Sequence, residues 1–191
     1  MKLPAKNEWF TIPNLMGYFR ILLIPVFVWA FLRAETPRDY FWAACVLGVS
    51  GLTDLFDGKI ARKLNQVTEL GKFLDPLADK LTQGVLVICL ATRRPVIWLL
   101  VALVVVKEGF MAVMGLVMLR HNGRKLDGAM WFGKVCTAVL YVALVALLLL
   151  PAASTTATNI IVGVCAVVMV LTLWLYIPVF QGLWKKEPLH K

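Results

Sequence analysis

From its amino acids alone, this chain reads as an all-α integral membrane protein with six transmembrane helices. Of its 191 residues 60% are hydrophobic and only 16% are charged, too few charges to cover the surface of a soluble domain of this size. Its mean hydropathy is +0.79. Several uninterrupted apolar stretches reach or approach the roughly 18 residues that span a bilayer as a helix.

The first span runs from about Pro13 to Leu32, with Pro13 in the first turn, where its missing N–H costs nothing. Residues 1–12 lack the apolar core and small-residue cleavage site of a removable signal peptide and read as an interfacial segment. The second span covers about Tyr40 to Ala61 and the third about Lys72 to Thr92. Arg93, Arg94 and Pro95 separate the third from a fourth, about Val96 to Leu119. After "RHNGRKLDG" a fifth runs from about Ala129 to Leu150, and after "PAASTTATN" a sixth from about Ile160 to Phe180. There is no internal repeat and no low-complexity linker, so residues 1–191 read as one membrane domain, with a six-helix core over 13–182 and a cytoplasmic tail over 183–191.

The net charge of +9 would suggest nucleic acid in a soluble protein; here it fits topology and attraction to acidic lipid headgroups, with no nucleic-acid partner. With the N-terminus inside, the inner segments carry Lys2, Lys6, Lys59, Arg62, Lys63, Lys72, Arg120, Arg124, Lys125, Lys185, Lys186 and Lys191. The outer loops carry Arg33 and Arg38 balanced by Glu35 and Asp39, then Arg93 with Arg94, then no charge. Positive charge on the inside places both termini in the cytoplasm. Trp29, Trp42, Trp98 and Trp131 lie near span ends, as interfacial anchors do. Cys45, Cys89, Cys136 and Cys165 fall within spans at no metal or disulfide spacing and read as small buried residues.

Against this background the stretch from Ser50 to Gly84 holds four aspartates, Asp54, Asp57, Asp75 and Asp79. On a helix Asp54, Asp57, Gly58 and Ala61 share one face, and Gly71, Asp75 and Asp79 share a face on the next. Two adjacent helices can therefore aim four carboxylates into one space. Carboxylates so crowded repel, and something positive must sit between them if they are to stay ionised. Hard divalent cations such as Mg²⁺ or Mn²⁺ suit such oxygen donors. Gly58 and Ala61 are small enough for close approach, and Arg62 can grip a phosphate with two parallel hydrogen bonds. A pair of ions between carboxylates can clamp a diphosphate. These residues point to metal-assisted phosphoryl or phosphatidyl transfer at the cytoplasmic membrane face. An isolated acid at a helix end would simply snorkel into the headgroups, and intramembrane acids also serve cation or proton pathways. A transporter leaves Arg62 and the glycines in register unexplained.

The pattern Asp54-x2-Asp57-Gly58-x2-Ala61-Arg62-x8-Gly71-x3-Asp75-x3-Asp79 resembles the motif of the CDP-alcohol phosphatidyltransferases at all eight fixed positions. "IPNLMGYFR", "ARKLNQVTELGKFLDPLADKL" and the fifth-span "FGK" are similar to segments of bacterial phosphatidylglycerophosphate synthases. The resemblance implies six membrane helices around a polar cavity open to the cytoplasm, a homodimer, and a place in the bacterial inner membrane. It implies displacement of CMP from CDP-diacylglycerol by an alcohol, with attack at the phosphorus bearing diacylglycerol. Carried over by position, Asp54, Asp57, Asp75 and Asp79 would hold two divalent ions, and Asp79 would also be the general base. Asp54, Gly58, Ala61, Arg62, Gly71 and Asp75 would surround the CDP moiety.

The acceptor must be read from other charges in the spans: Arg20, Lys107, Arg120 and Lys134. Several cations converging would suit a phosphorylated acceptor such as glycerol 3-phosphate. Lys107 and the neighbouring Glu108 point about 100° apart on a helix, so each is expected to need its own partner. Two departures from the synthases matter here. Many carry an arginine before the fourth-span acid, where this chain has Lys107, and many carry a second lysine after the fifth-span "GK", where it has Thr137. These leave room for a CMP-forming cardiolipin synthase, with phosphatidylglycerol as acceptor.

Overall fold

A computed structural model describes residues 10–63, 68–122 and 130–184, apart from the side chains of Ala61, Arg62 and Asn122. Two of the expected nucleotide-binding side chains, Ala61 and Arg62, thus lie outside the described residues. So do Lys2, Lys6, Arg124, Lys125, Lys185, Lys186 and Lys191 of the inner charge set. Regular structure among the described residues is entirely helical: α1 Ile12–Leu32, α2 Pro37–Lys63, α3 Glu69–Arg93, a 3-10 turn Pro95–Ile97, α4 Trp98–Asn122, α5 Trp131–Leu149 and α6 Thr155–Trp184. Each expected span falls on one of these helices.

Among the described residues four segments are long and apolar enough to cross a membrane: Ile12–Leu32, Pro95–His121, Trp131–Leu149 and Thr155–Trp184. The chain is a multi-pass membrane protein. At 27 and 25 residues α2 and α3 have the length, but Asp54, Asp57, Lys59 and Lys63 charge the end of one, and Glu69, Lys72, Asp75, Asp79 and Lys80 the start of the other. The helices that bear the aspartates are therefore the two whose composition departs from a plain membrane span.

The chain divides into two units, the first made of Met1–Leu90 with Leu148–Ala152 and the second of Ala91–Leu147 with Ala153–Lys191. In the first, α1 packs along α2. The buried face of α1 is a stripe of helical period that changes character along its length, from Asn14, Gly17 and Arg20 to Phe27 and Phe31. On α2 the buried positions Ala43, Ser50 and Asp57 recur every seven residues. Both seams thus turn polar toward the same end. At the start of α2, Thr36 N–H and Oγ1 each donate to Asp39 Oδ2 at 2.8 Å. These bonds, the backbone one foremost, hold the Asp39 carboxyl below the usual carboxylate range.

In the second unit α4 packs against α6. The buried positions of α6 (Thr158, Val162, Cys165, Met169, Thr172, Tyr176 and Phe180) step by threes and fours down 30 residues. The positions between them, Ile160, Val164, Val167, Val170, Leu171 and Trp174, are exposed apolar side chains, as a lipid-facing surface requires. Met118, Tyr176 and Phe180 form a buried cluster flanked by Phe110 and Phe132, with the Phe110 and Phe180 rings edge to face at 5.7 Å. Trp29, Trp42, Trp98 and Trp131 are all exposed. The four cysteines are free, Cys45 half-buried and the others buried.

Candidate active site

Three of the four motif aspartates meet at Arg20. The α1 stripe carries this arginine into the first unit with 3% of its side chain exposed. Its Nη1 lies 2.6 Å from Asp54 Oδ1 and 3.6 Å from Asp57 Oδ2, and Nη2 pairs with Asp79 Oδ1. Neither approach of Nη1 is aligned as a hydrogen bond, and Nε has no partner, so charge rather than directed bonding holds that side of the guanidinium. Asp75 lies within electrostatic range of Arg20, Asp54 and Asp79. Helical spacing explains the convergence: Asp54 and Asp57 are three apart on α2, and Asp75 and Asp79 four apart on α3. The positive charge that such crowding demands is supplied by a residue of the chain itself.

The carboxylates differ in access to water. Asp57 has 5% of its side chain exposed, Asp54 36% and Asp79 51%. Asp57 Oδ2 is buried and accepts no hydrogen bond; Arg20 Nη1 at 3.6 Å balances its charge without directed bonding, so a donor or a closer cation would still stabilise it. An all-carboxylate donor set, with a buried oxygen that accepts no hydrogen bond, fits a hard divalent ion such as Mg²⁺ or Mn²⁺. Asp54, Asp57, Asp75 and Asp79 could hold it. Among the described residues no three acidic, histidine or cysteine side chains are already grouped at ligating distance; the guanidinium stands between the carboxylates instead.

The two motif glycines have different surroundings. A Cβ at Gly58 would meet nothing within 4 Å, whereas one at Gly71 would stand 2.8 Å from Asn14 Oδ1 and 3.1 Å from Thr68 Oγ1. Gly71 is small because α1 needs the space. Asn14 Oδ1 accepts from Thr68 Oγ1 at 3.0 Å, and Thr68 Oγ1 accepts from Gly71 N–H at 3.0 Å. Thr68 thus caps α3 while Asn14 ties that cap to α1. Sequence reasoning passed over Asn14 and Thr68. The signal was present in Thr68, a capping residue directly before the helix, but its partner lies 54 positions away.

Of the four cations read as acceptor contacts, two are engaged by acids. Arg20 belongs to the aspartate cluster. Lys107 Nζ donates to Glu108 Oε1 at 2.7 Å, so these neighbours pair with each other across the angle expected to separate them. Two long flexible side chains bridge the angle between adjacent helical positions, and removal from water favours the pairing. Arg120 and Lys134 are exposed in the second unit. Thr137, where many synthases carry a lysine, turns its hydroxyl back to the Gly133 carbonyl at 3.1 Å.

A family model described as CDP-alcohol phosphatidyltransferase matches residues 10–177. A Streptomyces coelicolor protein named cardiolipin synthase (CMP-forming) is 37% identical over 142 residues, 73% of this chain and 65% of that protein. This chain therefore spans less than two thirds of that relative's length. A Shigella flexneri protein named CDP-diacylglycerol–glycerol-3-phosphate 3-phosphatidyltransferase is 34% identical over 167 residues, 86% of this chain and 90% of that one. One of the same name from Escherichia coli K12 is 35% identical over 144 residues, 74% and 79% of the two chains. The match takes in α1 to α5 and most of α6, with every aspartate of the cluster inside it, and the chain belongs to the CDP-alcohol phosphatidyltransferase family.

Proposed function

We propose that the protein transfers the phosphatidyl group of CDP-diacylglycerol to the hydroxyl of glycerol 3-phosphate, releasing CMP and forming phosphatidylglycerophosphate. The observation that carries this reading is the convergence of Asp54, Asp57 and Asp79 on one buried guanidinium, with Asp75 in range. The choice of acceptor is supported by the relatives of that name, one of which is matched over 90% of its length. Six membrane-spanning helices around a polar cavity open to the cytoplasm belong to the same reading. So do a single membrane domain over 1–191, both termini in the cytoplasm of a bacterial cell, the inner membrane as its location, and a homodimer.

Asp54, Asp57, Asp75 and Asp79 would hold two divalent ions, which when bound supply the positive charge that a diphosphate and a departing CMP oxygen require. The residues divide the remaining work by exposure. Asp57, the most buried, anchors the cluster. Asp79, half open to water, would take the proton from the acceptor hydroxyl and later return it to solvent. The freed oxygen attacks the phosphorus bearing diacylglycerol, the bond from that phosphorus to the CMP oxygen breaks, and CMP leaves with the electron pair. The space beside Gly58 suits the approach of the nucleotide, which Ala61, Arg62 and Gly71 would help to enclose. Arg120 and Lys134 would receive the acceptor phosphate. Arg20 and Lys107 have weaker claims to that role, since carboxylates already engage them.

A second reading, with phosphatidylglycerol as acceptor and cardiolipin as product, is favoured by that engagement of Arg20 and Lys107 and by the name of the Streptomyces relative. The deciding experiment gives purified protein CDP-diacylglycerol and Mg²⁺ or Mn²⁺. Glycerol 3-phosphate, phosphatidylglycerol, inositol phosphate and serine are then offered in turn while CMP is followed. CMP release with glycerol 3-phosphate is expected. Release with phosphatidylglycerol alone establishes the second reading, and cation flux with no CMP from any acceptor replaces both with a transporter.

A further inference from the structure

In the second unit a recess of about 230 Å³ opens where α4 and α6 begin, lined by Arg93, Arg94, Ala153, Thr155, Thr158 and Asn159 among others. The transfer reaction proposed above uses none of these residues. Their chemistry is that of an anion site. Arg93 and Arg94 are adjacent in the lining, beside the hydroxyls of Thr155 and Thr158 and the amide of Asn159. Arg94 Nη1 donates to Thr158 Oγ1 at 2.6 Å, and Thr158 is buried on α6, so the guanidinium is held at the recess wall. Ser154 caps α6, its Oγ accepting from Ala157 N–H at 3.2 Å and its carbonyl from Thr158 N–H at 3.0 Å. The first turn of that long helix, with Thr155 in the lining, adds the partial positive charge of its end.

The position along the spans narrows the ligand. The 3-10 turn Pro95–Ile97 interrupts the chain here, and the exposed Trp98 follows directly, a residue type that settles at headgroup depth. At about 30 Å³ per water the recess holds several waters' worth of volume, more than the four oxygens of a bare phosphate need. A phosphate carrying an esterified chain from the adjoining leaflet fills it better. We propose that this recess binds the phosphate of an anionic phospholipid headgroup, in the outer leaflet to which the loop charges assign Arg93 and Arg94. Arg93 and Arg94 supply the charge, and Thr158 holds Arg94 in place.

The test uses the purified full-length protein and phosphatidic acid, which is neither donor, acceptor nor product of the proposed reaction. Retained lipid is counted by native mass spectrometry. Replacing both arginines, Arg93→Gln with Arg94→Gln, should weaken phosphatidic acid binding by about thirtyfold. Phosphatidylcholine retention should not change, and excess inorganic phosphate should not displace the lipid. CMP release in a phosphatidylcholine bilayer should stay at the wild-type level. Equal phosphatidic acid retention by wild type and double variant would overturn the site. Displacement by inorganic phosphate would overturn the lipid assignment in favour of a soluble anion, and lost CMP release in phosphatidylcholine would make the arginines structural. Should the double variant not fold, Arg93→Gln and Arg94→Gln are each measured alone. Binding weakened severalfold supports the proposal, and unchanged binding overturns it.

Discussion

Arg20 faces aspartates from two other helices, and this one guanidinium sets what each carboxylate can do. Without it Asp54, Asp57 and Asp79 lose a cation that they share, and breaking a buried ion pair costs about 3–5 kcal/mol. That figure is an upper bound here, because Asp54 and Asp79 are open to water and partly screened. Metal-free Arg20→Gln should therefore melt several degrees below wild type. Mn²⁺ should raise its melting temperature by more than it raises that of wild type, since the ion restores the missing charge. Equal Mn²⁺ increments in a thermal-shift assay would show that Arg20 does not balance the carboxylates that receive the metal. Asp79 makes a separate prediction. As the most exposed member of the cluster it can exchange protons with solvent, so Asp79→Asn should lower turnover by about 10²- to 10⁴-fold with CDP-diacylglycerol affinity nearly unchanged. Steady-state rates alongside direct lipid binding check this, and near-normal turnover would remove Asp79 as the base. The spacing of the four aspartates could be read from the sequence because helical periodicity converts positions directly into faces. Arg20 could be read only as a costly charge in a span. Its partners are 34, 37 and 59 residues away, and periodicity says nothing about which helices become neighbours.

Two glycines show how the helices fix these side chains. At Gly71 the chain spares room for Asn14, whose amide oxygen holds the Thr68 cap of α3. Gly71→Ala forces the Asn14 amide or the cap to move and should destabilise the start of α3 by roughly 1–2 kcal/mol. Activity should fall with it, because Asp75 lies one turn further along that helix. Asn14→Ala in the Gly71→Ala background should recover part of the melting temperature, and additive losses would mean that the two residues do not share the space. Gly133 plays the corresponding role in the second unit. A Cβ there would run into the Tyr176 hydroxyl, with Tyr176 Cζ at 3.2 Å, and Tyr176 is buried in the aromatic cluster of α4, α5 and α6. Gly133→Ala should therefore cost about 1–3 kcal/mol of stability, read as a fall in melting temperature that Tyr176→Phe partly reverses. The helices themselves were legible because apolar runs bounded by Arg-Pro, Pro and Asn-Gly signals define lengths. These glycine contacts were not, since an open position such as Gly58 and a crowded one such as Gly133 look alike in one dimension.

At the scale of the molecule, the fold follows from where charge is absent. Four segments, α1, α5, α6 and the stretch that includes α4, meet the length and apolarity of a span, and exposed leucines, valines and isoleucines cover their outer faces. A soluble protein could not tolerate so continuous an apolar surface. α2 and α3 fall short of that composition because their adjoining ends carry the acids of the candidate site, so one feature made the chemistry legible and two of the spans ambiguous. Charge asymmetry supplies an orientation that helix packing does not. Lys59, Lys63 and Lys72 flank the aspartates, whereas the Glu35–Asp39 loop is balanced, and this excess of cations is what supports the proposed cytoplasmic side. A variant with the four native cysteines replaced, carrying Glu35→Cys or Lys63→Cys at exposed positions, tests this directly in spheroplasts. A membrane-impermeant maleimide should label the cysteine at position 35 in intact spheroplasts and the one at 63 only after lysis. The reverse pattern would put the aspartates on the outer face, away from any cytoplasmic nucleotide. Labelling of both before lysis would mean that α2 does not cross the bilayer.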